Sequence, residues 1–288
     1  MRNLSLLVFL ATLAGPACSG GTTTEPKPTT TPTGKEPPTA PPTEVKPPDP
    51  IALAELEASA QNITLVPSPA EMQRALSKAG VATGLDKLVT ERALKMDVEN
   101  KDVIAVRTGV ILADTLLTVK DAPKAKLVER LGAVKAGLVA LGAGTDLPRM
   151  IDDLSARINN DGISREDLVK ELDDIHGAAI PEIKYEAGDR CVPLIQAGSW
   201  LEGSNLVATA VLEANAIEAG NQLLRQPQVA DYFLKYVQVE GQGKAPDEVV
   251  KQLETTLLKL KGIAAKPALT VDDLKEVKSQ TAAVLALL

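Results

Sequence analysis

The segments Lys101–Leu117 (KDVIAVRTGVILADTLL) and Arg190–Leu206 (RCVPLIQAGSWLEGSNL) are apolar around nearly the whole circumference of a helix. Helices of this kind lie in the interior of a protein, because no face of them favours water. Aligned without gaps, the two segments share four residues: Val103 with Val192, Gly109 with Gly198, Leu112 with Leu201, and Leu117 with Leu206. We expect them to pack against each other as the central pair of one fold.

The rest of the chain from residue 51 onward also has a helical pattern. Apolar residues recur at intervals of three and four, and no alternating strand pattern is present. The sequence therefore predicts an all-α domain over residues 51–288. The predicted helices cover 51–62, 69–78, 85–96, 102–119, 122–141, 146–158, 165–175, a short segment before Gly188, 193–224 with a kink at Gly203-Ser204, 228–239, 246–260 and 271–288.

The order of these helices suggests an internal duplication. A capped helix start at Ser68–Met72 is matched by another at Ser164–Leu168, each with Ser as the N-cap. Each central segment is followed by an amphipathic helix, Lys126–Leu131 in one case and Val249–Glu254 in the other. Repeated units bury each other's apolar faces. We expect a single helical bundle built from two related repeats, about 67–160 and 163–288.

The first residues have the features of a secretory leader. Arg2 precedes the apolar run Leu4–Leu10, and a small-residue stretch ends at Ala17, directly before Cys18. We predict a signal peptide over 1–17 and lipidation of Cys18. Gly15 stands where bacterial lipoproteins usually have a large aliphatic residue. Ordinary secretion with cleavage after Ala17, or retention as a membrane anchor, are therefore the alternatives.

Residues 19–50 contain ten of the twenty prolines of the chain. Such a segment buries too little apolar surface to offset the entropy cost of ordering. We predict a lipid-anchored, disordered Pro/Thr-rich linker over 18–50 that acts as a spacer, with peptidoglycan or partner binding as the alternative. By resemblance to Gram-negative lipoproteins, Ser19 directly after Cys18 favours the outer membrane.

Composition argues against several functional classes. The net charge of −7 disfavours binding to nucleic acid and electrostatic docking on anionic lipid. The single histidine, His176, and the one internal cysteine, Cys191, cannot form a usual zinc or haem site. Residues 159–163 lack the alternating acids of a calcium loop. We predict no metal, no cofactor and no catalytic residue, and we expect His176 to cap the end of a helix.

Polar side chains interrupt the two central segments. They are Arg107, Asp114, Glu202 and Asn205, with Trp200 beside them. Charges in a core are costly unless they are paired. We expect a structural polar network in which Glu202 pairs with Arg107. The alternatives are a polar pocket for a small ligand between the repeats, or a pair of acid–base carboxylates.

Three blocks carry a resemblance: Val66–Met72, Val106–Asp114 and Ala197–Gly203. They resemble an uncharacterised family of helical bacterial envelope lipoproteins, common in Bacteroidetes, with P-S-P-x-E, R-x-G-x-x-x-A-D and G-x-W-[IL]-E blocks. The resemblance implies a helical fold and a place in the cell envelope. It implies no catalytic residue.

The functional prediction is a lipid-anchored helical interaction or structural module of the cell envelope, with no enzymatic activity. Its partners are the membrane, through the N-terminal lipid, and an envelope protein of unknown identity. We expect it in the outer membrane, with a secreted or periplasmic form as the alternative. Two other functions stay open. One is a periplasmic binding protein for a small or lipidic ligand at the repeat interface, and the other is a hydrolase using Asp114 or Glu202.

Overall fold

A computed structural model describes residues 65–288, apart from Gln242 and the side chain of Ala187. The signal peptide, the linker with Cys18 and the predicted helix 51–62 lie outside the described residues. The described part is helical and has no strand, which confirms the all-α prediction. Its helices are α1 (Pro69–Lys78), α2 (Lys101–Thr118), α3 (Lys124–Leu141), α4 (Asp146–Asn159), α5 (Arg165–Ala187), α6 (Cys191–Glu213), α7 (Ile217–Leu224), α8 (Pro227–Glu240), α9 (Asp247–Ala264) and α10 (Val271–Leu285).

Helices α2 and α6 pack along each other as the central pair, as the sequence predicts. A Cβ added at Gly109 would lie less than 3.0 Å from the main chain of Ile195 and Ser199. A Cβ added at Gly198 would lie equally close to the main-chain carbonyl of Val106. The two backbones therefore touch at two glycines, one from each helix. The Ser199 hydroxyl donates a hydrogen bond of 2.9 Å to the Gly109 carbonyl at the same point.

The remaining helices pack around this pair in two groups. On one side, α3 packs along α2 and α4 packs on α3, while α5 contacts both α4 and α6. On the other side, α10 packs along α6 and α9 packs on α8 and α10. Each group has its own buried cluster, typified by Leu131, Ile151 and Leu172 in the first and by Phe233, Leu260 and Leu274 in the second. The sequence matched α3 to α9, but the helix that lies along α6 is α10.

Helix α5 is longer than its sequence suggests. It was expected to end at His176, yet it continues through Gly177 and Pro181 to Ala187. A proline inside a helix removes one hydrogen bond and costs about 3 kcal/mol. The buried side chains continue at helical spacing past this point and favour continuation: Leu168, Leu172, Ile175, Ala179 and Ile183. His176 is therefore a mid-helix residue, and the prediction that it caps a helix end is wrong.

The predicted helix 85–96 is not formed. Only Leu85–Lys87 makes a short 3-10 turn, and the chain then runs without regular structure to Asn100. Two polar groups of this segment bond to the central helices. Arg92 pairs with Glu202, and the Lys95 carbonyl accepts a hydrogen bond from Arg107. Tertiary bonds thus replace the hydrogen bonds that a helix would have supplied.

The predicted helix 193–224 is divided, but not at Gly203-Ser204. Helix α6 continues through these residues. The sulfur of Met72 packs against Gly203 and occupies the space that a side chain would need. The break comes at Asn215, whose φ of 51° is incompatible with a continuing helix. In the described part of the chain, no helix is long and apolar enough to cross a membrane.

The contact at Gly109 can be tested by adding one methyl group. Gly109→Ala places a Cβ against the main chain of α6, so we expect a loss of about 1–3 kcal/mol in the free energy of unfolding, or more. Gly132 in α3 is the matched control, because a Cβ there meets no atom within 4 Å. Gly132→Ala should stabilise by up to about 1 kcal/mol through helix propensity. Urea unfolding measures both, and equal effects would contradict the close approach.

Candidate functional site

Glu202 is the most deeply buried acidic residue described in the chain, with 0% of it exposed. It lies in the middle of α6, one turn after the glycine contact with α2. Its carboxylate accepts a hydrogen bond of 2.8 Å from the guanidinium of Arg92. Arg92 reaches it from the irregular segment before α2. The resulting ion pair joins this segment to the centre of the fold.

Asp114 of α2 is buried beside Glu202, and the two carboxyls share a hydrogen bond. Burial raises the pKa of Asp114 well above its usual range, and the negative charge of Glu202 raises it further. One oxygen of each carboxyl has no hydrogen-bond donor in the surrounding protein. A single proton on Asp114, donated to Glu202, satisfies this arrangement because two ionised carboxylates would repel each other. Asp114 therefore keeps its proton to a pH well above the ordinary range for Asp.

A second arginine approaches from the other side. Arg130 of α3 pairs with Asp86 at 2.9 Å and donates a hydrogen bond of 2.6 Å to the Thr118 hydroxyl. The Thr118 hydroxyl in turn donates to the Asp114 carbonyl at 2.6 Å. The positive charge of Arg130 acts on Asp114 and opposes the rise in its pKa. The polar cluster thus draws on α2, α3, α6 and the segment before α2.

The charges of this cluster are paired. Arg92 pairs with Glu202, Arg130 and Lys126 both lie against Asp86, and a proton on Asp114 removes the charge of the remaining carboxylate. A buried pair is costly unless its charges are matched and its hydrogen bonds are made. The chemistry that this arrangement supports best is the fixing of one register between helices. Of the four cavities described, none is lined by Asp114 or Glu202.

Arg107 does not belong to the cluster, so the expected pair between Arg107 and Glu202 is wrong. The Arg107 guanidinium donates to the Lys95 carbonyl at 2.7 Å and to the main-chain oxygen of Leu288 at 3.0 Å. Arg107 precedes Asp114 by seven residues, which is about 10 Å along a helix. At that distance it lies near a different part of the fold, and Arg92 takes the place beside Glu202.

Trp200 and Asn205 are buried near Glu202 but serve other contacts. The Trp200 ring packs on Phe233 of α8, with ring centroids 5.3 Å apart. The Asn205 amide donates to the Thr281 hydroxyl at 3.0 Å and to the Lys278 carbonyl at 3.1 Å, both in α10. These two residues therefore hold α8 and α10 against α6.

Three members of the cluster were not identified from sequence: Arg92, Arg130 and Asp86. Each lies on a segment that has the charged pattern of a solvent-facing helix. The buried positions of Asp114 and Glu202 indicate that cations must be nearby. The chain has 31 Lys and Arg residues, and no spacing rule selects Arg92 or Arg130 among them.

The other sequence-derived sites have ordinary surroundings. Within residues 65–288, no group of three His, Cys, Asp or Glu side chains is placed to hold a metal ion. Cys191 is buried at the start of α6, and burial raises the pKa of its thiol. The turn after α4 places Asp161 at a positive φ of 56°, where it leads into the Ser164 cap of α5. Cys18 lies outside the described residues.

Comparison with known proteins finds no similar sequence or structure: no family model, curated protein or solved structure matches the chain.

A double-mutant cycle tests the partner of Glu202. Arg92→Ala and Glu202→Ala should each lower the free energy of unfolding by about 3–5 kcal/mol, because each leaves the other charge buried and unpaired. The double variant should cost clearly less than the sum of the two. Arg107→Ala combined with Glu202→Ala is the matched control, and those effects should add within about 0.5 kcal/mol. Coupling to Arg107 in place of Arg92 would contradict the assigned pair.

The raised pKa of Asp114 predicts how the free energy of unfolding depends on pH. Folding raises the pKa of this carboxyl, so the folded chain binds its proton more tightly than the unfolded chain does. The resulting stabilisation is fully present below the ordinary value for Asp, about pH 4, and is lost as the pH rises through the raised pKa. Asp114→Asn keeps a donor towards Glu202 and should remove this part of the pH dependence.

Unfolding in urea between pH 4 and pH 8 measures this difference. Asp153→Asn serves as the control, because it removes one carboxylate from the exposed side of α4. The slope of stability against pH should flatten in Asp114→Asn and stay close to that of the wild type in Asp153→Asn. An unchanged slope in Asp114→Asn would mean that Asp114 is ionised in the folded protein.

Proposed function

We propose that this chain is a lipid-anchored helical module of the cell envelope that docks onto another envelope protein. The leader before Cys18 and the Pro/Thr-rich linker support the anchor. The ion cluster supports a structural role for the centre of the fold, because its charges are used to hold helices together. A docking function then depends on the outer surface.

The docking proposal rests on one surface groove. It is an open groove of about 750 Å³ along α8, which we call the α8 groove, with Tyr232, Tyr236 and Val239 along its floor. Val239 is 73% exposed, and the Tyr236 hydroxyl donates to the Arg190 carbonyl at 3.1 Å. Tyrosines with an apolar neighbour at the centre and a polar rim are typical of protein interfaces. The border of the α8 groove carries charges of both signs: Arg190, Lys235, Asp189, Asp231 and Glu240.

The rim favours a particular kind of partner. Two basic and three acidic side chains line the groove, so charges of both signs are interspersed and the net charge is only −1. A strongly charged partner gains little from such a surface, whereas an amphipathic segment with apolar residues for Tyr232, Tyr236 and Val239 gains most. We propose an amphipathic segment of an envelope protein as the occupant.

We also propose that the two halves of the domain are related repeats. The reciprocal contact supports this: Gly109 meets Ile195 and Ser199, while Gly198 meets Val106 and Val110. These residues are equivalent in the gap-free alignment of the central segments. Two identical ancestral helices related by a twofold axis would make the same reciprocal contact.

Cross-linking in living cells tests the docking proposal. A photoreactive side chain replaces Val239 in the full-length chain, and the same side chain replaces Leu258 as the control. Leu258 is 55% exposed on α9, outside the α8 groove. We expect one discrete adduct with another envelope protein from position 239 and none from position 258. Cys18→Ser should release the chain from the membrane and abolish the adduct, while Cys191→Ala should retain it.

Three results would contradict parts of this proposal. Equal adducts from positions 239 and 258 would show random collisions. An adduct between position 239 and residues 51–64 of the same chain would show that the α8 groove is covered from within, since Leu65 borders it. A Cys18→Ser chain that stays membrane-bound would remove the lipid anchor from the proposal.

A further inference from the structure

A second cavity shares no lining residue with the α8 groove and is not lined by Asp114 or Glu202. It is a cleft of about 240 Å³ between the start of α1, the middle of α5 and the first half of α6. Each element contributes polar side chains to this α1–α5–α6 cleft: Glu71 and Arg74 from α1, Asp173 and His176 from α5, and Gln196 and Ser199 from α6. Polar groups from three helices thus converge on one concave space, the usual form of a small-molecule site.

The floor of the cleft has an unused hydrogen-bond acceptor. Gln196 is only 5% exposed, and its amide oxygen has no hydrogen-bond partner. A buried polar atom without a partner costs about 1–3 kcal/mol. Gln196 also lines a narrow apolar crevice of about 20 Å³, which shares His176 and Ile180 with the cleft. A ligand that donates a hydrogen bond to this oxygen would therefore recover a cost that the free protein carries.

His176 lies next to Gln196 in the lining of both the cleft and the crevice. No described residue makes a hydrogen bond to its ring. Burial lowers the pKa of His176, although the negative charges of Asp173 and Glu71 oppose this effect. The imidazole is therefore neutral at neutral pH and offers one nitrogen as an acceptor.

The charges around the cleft are unequal. Asp173 accepts from Arg74 at 3.1 Å and from the Ser68 hydroxyl at 3.4 Å. Glu71 accepts from the Ser68 main-chain N–H at 2.8 Å in the cap of α1. Each carboxylate has room for further donors, since it can accept about four hydrogen bonds. With two carboxylates, one guanidinium and a neutral imidazole, the lining is rich in acceptors and carries a net negative charge.

We propose that the α1–α5–α6 cleft binds the primary ammonium group of a small molecule. An ammonium group has three N–H donors and one positive charge, which match Gln196, Asp173 and Glu71. The volume of about 240 Å³ corresponds to roughly eight water molecules, at about 30 Å³ each. Ethanolamine and putrescine are small enough to fit within this volume. The ammonium group can belong to a free amine or to a lipid headgroup, and the binding site does not depend on the proposed docking function.

The single histidine of the chain provides a direct reporter. The full-length protein, labelled with ¹³C at histidine Cε1 and purified in a maltoside detergent, is titrated in phosphate buffer, because Tris and glycine are themselves primary amines. We expect a saturable shift of the His176 signal with ethanolamine and putrescine. N-acetylethanolamine, which has the same backbone without the charge, should cause none. Phosphatidylethanolamine nanodiscs, compared with phosphatidylcholine nanodiscs, distinguish a lipid headgroup from a free amine.

Variants test whether the shift of the His176 signal arises from binding in the cleft. Asp173→Asn and Gln196→Met should each weaken binding of ethanolamine about tenfold or more, the loss typical of one charge-assisted hydrogen bond. Gln196→Met should fold at least as well as the wild type, because it removes an unpartnered oxygen. Asp174→Asn, next to Asp173 but exposed and outside the cleft lining, should bind within about twofold of the wild type, well short of that tenfold loss.

The proposal is overturned if no amine, free or in nanodiscs, shifts the His176 signal. An equal shift with N-acetylethanolamine, or unchanged binding in both Asp173→Asn and Gln196→Met, would overturn it as well. Loss of the α8 cross-link leaves this site untouched, so the two proposals fail separately.

Discussion

Direct contact between the backbones of α2 and α6 is the constraint on which the rest of this structure depends. Two glycines remove the side chains that would hold these helices apart, and the Ser199 hydroxyl bonds to the Gly109 carbonyl across the contact. Helix axes normally lie 8–10 Å apart, at a distance set by the side chains between them. Here small residues bring the axes close enough for Asp114 and Glu202 to share a hydrogen bond further along the pair.

The buried carboxyl pair follows from this close approach and determines what surrounds it. Two acids at hydrogen-bond distance require one proton and nearby cations, because an unpaired buried charge is strongly destabilising. Arg92 and Arg130 meet this need and connect the segment before α2 and helix α3 to the central pair. The irregular course of residues 88–100 is the result: its polar groups bond to α2 and α6 and leave no helix of their own. A polar cluster of this kind specifies one helix register where an apolar core would allow several.

The surface offers two further features with different chemistry. The α8 groove is aromatic and bordered by charges of both signs, which suits an extended protein contact. The α1–α5–α6 cleft is small, rich in acceptors and net negative, which suits a cationic solute. Neither of them is lined by Asp114 or Glu202. Structural charges and recognition surfaces are thus separated in this fold, so a change in one need not destroy the other.

The sequence alone determined the helical class, the central pair and the capped starts at Ser68 and Ser164, because local hydrogen bonds and apolar periodicity depend only on nearby residues. It also indicated that Glu202 and Asp114 lie in the interior, since both are surrounded by apolar residues on their own helices. Only the tertiary structure decided their partners. The sequence favoured Arg107 as the cation, whereas long-range packing places Arg92 beside Glu202 and Arg107 beside Lys95. The same reason explains the length of α5, where long-range contacts outweighed the local signals of Gly177 and Pro181. It also explains the absence of the predicted helix at 85–96, where they outweighed the amphipathic pattern.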